Sequence, residues 1–135
     1  MHNFFKRAKG YIERHLVALL FNIKNIWLCM SRPCIIVNAW VDDHWYSGVG
    51  TRNFGDDINK YFIESLTNRK VIFDHTFSWW GVLRQPNYLC IGSIIESHCN
   101  NRSIIWGSGA MYGNRELSAK PLKVCAVRGP LTRKY

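Results

Sequence analysis

C-I-I-V-N-A-W, residues 34–40, follows Pro33 and is apolar at nearly every position, with Ile35, Ile36 and Val37 in succession. A strand with one wet face alternates apolar and polar side chains. A β-branched run that is apolar on both faces belongs in the middle of a parallel sheet covered by helices. Lys70–Phe73, Tyr88–Gly92, Ser103–Gly107 and Leu122–Val127 are four further strand candidates of similar character. Between the first two, Asp56–Thr67 carries Ile58, Tyr61, Phe62 and Leu66 at helical spacing. Apolar strands alternating with helix-sized or loop-sized intervals give an α/β fold with a Rossmann-like, open, mostly parallel sheet.

Ahead of that sheet, residues 3–31 read as a helix. Phe4, Ala8, Tyr11 or Ile12, His15 or Leu16, Leu19, Ile23, Trp27 and Met30 recur at spacings of three and four, with basic residues between them. The chain therefore divides into a basic amphipathic helical segment, 1–32, and an α/β domain, 33–135. The net charge of +9 divides as well: residues 1–32 hold six Lys and Arg against one Glu, the remainder twelve against eight acidic residues. Two uses of the helix's apolar face stay open: packing on the domain or a partner, or lying as a peripheral contact on an anionic membrane surface. The longest apolar run there, Leu16–Phe21, is far short of the ~20 residues that cross a bilayer, and no cleavage signal is evident. The expected location is cytoplasmic, with peripheral attachment at the inner face of the cell membrane as an option. Five cysteines without C-x-x-C spacing read as reduced thiols, with Cys34, Cys90 and Cys125 buried in apolar runs. The five histidines have no ligand spacing, so no metal is expected.

Parallel sheets bind ligands beyond the carboxyl ends of their strands, where loops and helix N-termini converge. Four strand ends here carry glycine or small polar residues: Gly50–Asp57, Gly92–Ser93, Gly107–Gly109 and Arg128–Pro130. In N-F-G-D-D-I-N, residues 53–59, Gly55 permits a left-handed or closely approached backbone and Asp56 is suited to cap the next helix. Asn53 and Asn59 are placed to offer amides to sugar hydroxyls, and Asp56 to act as a general base. The same residues also make a good helix start. In G-S-G, Gly107, Ser108 and Gly109 form a tight turn able to expose backbone N–H groups to a carboxylate, phosphate or hydroxyl. The spacing to Gly113 does not make a dinucleotide fingerprint, and no cofactor is implied. Arg128, directly after the fifth strand, suits bidentate binding of a carboxylate or phosphate, or a salt bridge to Asp56 or Asp57. Trp45 and Tyr46 are candidate stacking groups for a sugar, whereas Trp40 and Trp106 lie in strands and are expected in the core.

Taken in order, N-F-G-D-D-I-N, C-I-G-S-I-I (90–95), I-I-W-G-S-G (104–109) and V-C-A-V-R-G-P-L-T-R (124–133) resemble the N-terminal half of polysaccharide pyruvyl transferases, especially the succinoglycan and exopolysaccharide branch. The resemblance implies an enzyme of two Rossmann-like domains, similar to the GT-B type, in which this chain is the first. It implies transfer of the pyruvyl group of phosphoenolpyruvate to two sugar hydroxyls, giving a pyruvate ketal during exopolysaccharide or cell-surface polysaccharide synthesis. The acceptor would be a sugar or lipid-linked saccharide. Gly55, Asp56, Gly107, Gly109, Arg128, Gly129 and Pro130 match its motifs; much of the donor grip lies in the family's second half. A C-terminal domain or a partner chain is thus expected beyond Pro130–Tyr135, which reads as the first turn of another helix.

Two other classes compete. A noncatalytic glycan-binding or scaffolding domain would use the same strand ends. A nucleic-acid module would use the basic charge, but the aromatics are not interleaved with basic residues and no recognition-helix or zinc signature is present, so no nucleic acid is expected.

Overall fold

The computed structural model describes residues 2–40, 54–74 and 84–134. In chain order these form α1 (His2–Ser31), β1 (Cys34–Asn38), α2 (Phe54–Thr67), β2 (Lys70–Asp74), β3 (Asn87–Leu89), α3 (Ile95–His98), β4 (Ser103–Trp106), β5 (Lys123–Ala126) and α4 (Gly129–Thr132). The strands form one five-stranded sheet in the order β2-β1-β3-β4-β5. Every pairing between them is parallel, so all carboxyl ends share one rim. The chain moves from β1 to one side for β2, then returns past β1 to begin β3. That reversal opens a crevice between the ends of β1 and β3, the position at which open α/β sheets bind ligands.

Successive strand side chains point to opposite faces, and the core divides accordingly. Val37, Ala39, Val71, Phe73 and Cys90 pack with Ile63 of α2. On the other face Ile36 and Ile72 meet Ile26 and Cys29 of α1. Around α3, Leu89, Ile94, Ile95, Cys99 and Ile105 form the third cluster. A polar network joins β2 to β3 and β4: Asn87 Nδ2 donates to Asp74 Oδ2 at 3.1 Å and Ser103 Oγ to Asn87 Oδ1 at 2.8 Å. Arg102 lies 3.7 Å from the same Asp74 oxygen.

Three burial expectations are corrected. Trp40 is 58% and Trp106 41% exposed, and Cys125 is exposed as well. Trp106 and Cys125 lie on the β4–β5 side of the sheet, where every residue of β5 is exposed, and Trp40 lies past the end of β1. The apolar stripe of α1 is also turned outward. Tyr11, Ile12, Leu16, Leu19, Leu20, Ile23, Trp27 and Met30 are exposed, while Ala18, Asn22 and Asn25 are buried.

β3 ends at Leu89 and not at Gly92 because the backbone beyond it leaves the ladder: Ile91 N–H donates to the side chain of Asn59 at 2.8 Å. The core assignment gives a direct contrast. Leu89 is fully buried and Val124 is 55% exposed. Leu89→Ala should lower stability by about 2–5 kcal/mol through lost burial and a cavity, and Val124→Ala by less than about 0.5 kcal/mol, as read by urea denaturation.

Candidate functional site

At the crevice between β1 and β3, Asp56 occupies the first turn of α2. The helix starts at Phe54, so Asp56 does not cap it, and Gly55 is helical with no left-handed residue required. The Asp56 carboxylate instead accepts the backbone N–H of Trp40, just past the end of β1. Its side chain also abuts the end of β3: a methyl group at Gly92 would sit 3.0 Å from Asp56 Oδ1. Asp56 is only 4% exposed. Burial raises its pKa above the ordinary carboxylate value, with the charge of Asp57 adding to the rise and the Trp40 N–H opposing it.

Gly92 is the pivot of the rim. Its φ of +127° lies in a region that side-chain-bearing residues rarely adopt. Its carbonyl accepts two bonds from the turn after β4, from Gly109 N–H at 2.9 Å and Ser108 Oγ at 2.8 Å. Gly109 in turn lies against the last site residue, since a methyl group there would be 3.0 Å from Arg128 Nε. The Arg128 guanidinium donates to Ser93 Oγ, next to Gly92. Asp56 and Arg128 therefore flank the same Gly92–Ser93 turn, one buried and the other exposed.

The remaining sequence candidates have other local tasks. Asn59 is fully buried, and its amide donates to Asp56 O at 2.9 Å and Ile91 O at 3.0 Å while accepting from Ile91 N–H. It braces α2 against the end of β3. Ser108 is also fully buried, and its carbonyl accepts Arg128 N–H at 3.0 Å. Gly107, with φ +106°, donates to Ala126 O at 2.9 Å. The G-S-G turn thus spends these groups inside the protein, and its contribution to the rim is to position Arg128. Trp45, Tyr46 and Asn53 lie outside the described residues.

Sequence reasoning passed over three groups. Glu96, buried in α3, is wrapped by the loop after Gly109: its carboxylate accepts N–H bonds from Met111 at 2.7 Å, Tyr112 at 3.0 Å and Gly113 at 2.9 Å. The loop's anion-binding backbone is filled by the protein's own carboxylate. His98, at the end of α3, has its ring centroid 5.4 Å from that of Trp40 and its Nδ1 2.7 Å from Ser97 Oγ. Burial lowers its pKa, favouring neutral imidazole. Trp40 presents an exposed aromatic face beside Asp56, with its own N–H bonded to that carboxylate.

Two apolar grooves, about 440 and 640 Å³, lie over β3–β5 and beside β5 and α4. Neither is lined by Asp56, Gly92, Gly109 or Arg128, so the candidate site is the rim and not these grooves. Among the described residues no group of three or more His, Cys, Asp or Glu side chains is placed to hold a metal ion. Comparison with known proteins finds no matching family model, curated protein or solved structure.

Two substitutions probe the rim. Gly92→Ala meets both an unfavourable φ and the Asp56 carboxylate, whereas Gly113→Ala, at φ +71°, has nothing within 4 Å of the added methyl. Backbone strain alone costs about 1–3 kcal/mol, so Gly113→Ala should fall in that range and Gly92→Ala above it in denaturant melts.

Asp56→Asn tests the carboxylate itself. A raised folded-state pKa means that the stabilising contribution is complete below the unfolded value of 3.8 and is lost as pH rises through the folded pKa. The amide oxygen can still accept the Trp40 N–H. Asp56→Asn should therefore melt higher than the parent at pH 7, and the difference should shrink as pH falls toward 4; a constant difference would assign no role to ionisation.

Proposed function

We propose that this chain is the acceptor-side domain of a pyruvyl-transferring enzyme that builds ketals on polysaccharide or lipid-linked sugar. The observation that carries the reading is the convergence of Asp56 and Arg128 on the Gly92–Ser93 turn at the strand reversal. In this reading Asp56 takes the proton of an acceptor hydroxyl. A buried carboxylate with a raised pKa is a stronger base than an ordinary one, and its Trp40 bond holds it in place. Arg128, with a planar multi-donor head at the exposed side of the rim, holds the carboxylate or departing phosphate of phosphoenolpyruvate.

The bond changes are those of ketal formation. One sugar oxygen adds to C2 of phosphoenolpyruvate while C3 gains a proton; the second sugar oxygen then replaces phosphate at C2. Two hydroxyl protons are released, one is taken up at C3, and inorganic phosphate leaves. This chain is assigned the base and one anion contact. The acid that protonates C3 and the main donor grip belong, by resemblance to the family, to a second domain. The setting would be the cytoplasmic side of a membrane that carries the growing saccharide.

The exposed face of Trp40 at the rim also favours a second reading, a noncatalytic glycan-binding domain in which the indole stacks on a sugar ring. Amide NMR of the chain with candidate acceptor saccharides and phosphoenolpyruvate, coupled to phosphate release on addition of a C-terminal pyruvyl-transferase domain, separates the two. The transferase reading expects shifts at Gly92, Ser93 and Gly109 and saccharide-dependent phosphate release. Arg128→Ala should weaken phosphoenolpyruvate binding by about tenfold or more, the worth of a charged hydrogen bond. Saccharide shifts without phosphate release would select the glycan-binding reading, and an unperturbed rim would reject both.

A further inference from the structure

The apolar stripe of α1 faces away from the sheet. Ile12 is 64% exposed, Leu16 55%, Leu20 59%, Ile23 51%, Trp27 71% and Met30 82%. At 1.5 Å per residue, Ile12 to Met30 covers about 27 Å of one helix face. The face turned toward the domain is the less apolar one, holding Ala18, Asn22 and Asn25 before Ile26 and Cys29 reach Ile36 and Ile72. A helix that buries asparagines and displays tryptophan, leucine and isoleucine has its largest hydrophobic groups assigned to something outside the domain.

Charge identifies that occupant. Residues 1–32 carry six Lys and Arg and a single Glu. Lys9, Lys24 and Arg32 are exposed on the same helix or at its end. A second copy docking stripe to stripe would bring two such cationic segments together, whereas an anionic bilayer neutralises them. Among the described residues no helix is long and apolar enough to cross a membrane, so the fitting geometry is one lying in the interface plane. Trp27 has the ring that favours the headgroup level, and Lys9 and Lys24 the stems that reach phosphate while their carbons stay against acyl chains.

We propose that α1 is an interfacial anchor that seats this protein on an anionic lipid surface through the Ile12–Met30 stripe. The proposal is independent of any activity at the strand rim.

Flotation of the full chain with large unilamellar vesicles tests it. Vesicles of phosphatidylcholine with 30% phosphatidylglycerol should bind it at least about tenfold more tightly than pure phosphatidylcholine vesicles, and raised salt should weaken the anionic binding. Leu20→Glu/Trp27→Glu should lose at least about tenfold of that binding with an unchanged circular dichroism spectrum and melting temperature, because both side chains are exposed. Lys24→Gln, which leaves the stripe intact, should cost about fivefold on anionic vesicles alone. Equal binding to both lipid compositions, or wild-type binding by the double variant, would overturn the proposal. So would a stable dimer that the double variant dissolves without any vesicle binding by the parent, which would give the stripe to a second copy.

Discussion

The rim is organised by one backbone contact, the 2.9 Å hydrogen bond from Gly109 N–H to Gly92 O. It brings the turn after β3 against the turn after β4, and both partners are glycines whose missing Cβ atoms would meet charged side chains. Behind Gly92 is Asp56, and behind Gly109 is Arg128. The separation of the acidic and basic groups is therefore set by two closely packed turns and not by the reach of flexible side chains. Ser108 Oγ supplies a second bond to the same carbonyl, and Ser93 holds the guanidinium from the other side. Such a scaffold fixes a site before any ligand arrives, which limits the ordering cost of binding.

The two buried acids near this scaffold have opposite environments. Glu96 receives N–H bonds from three successive residues, a cradle that satisfies its carboxylate and ties α3 to the loop after β4. Asp56 is desolvated beside another carboxylate, so ionisation is disfavoured there. One acid clamps a loop. The other is held at an elevated proton affinity beside the crevice, the condition expected of a group that exchanges protons.

Local pattern made the five strands and the two long helices legible, because β-branched runs and a repeat of three and four leave little choice of backbone. Coverage was less legible. An apolar run signals that a strand can be buried on both faces, but Trp106 and Cys125 are exposed because, among the described residues, no helix packs over them. The same limit applies to α1, whose period defines a stripe without saying which way it turns. Asp56, Gly109 and Arg128 could be singled out as strand-end residues, and their juxtaposition follows from the parallel order. Glu96 could not be, since its donors come from Met111, Tyr112 and Gly113, distant in sequence and without a distinctive motif. Asn59 similarly looked like a ligand-facing amide until the fold delivered Ile91, which consumes both ends of its side chain.

The direction of α1 connects the two proposals physically. Only Arg32 and Pro33 separate α1 from β1, so a helix packed on the sheet through Ile26 and Cys29 must run back along β1 toward the rim. Its 30 residues extend about 45 Å, against about 17 Å for the five-residue β1. The N-terminal half of α1 consequently projects past the carboxyl ends of the strands, on the side where Asp56 and Arg128 lie. A bilayer holding the stripe would keep that rim within a helix length of the lipid surface. For a saccharide tethered to lipid, this converts a search through solution into one over a thin layer, raising the acceptor's effective concentration without adding any contact at the rim.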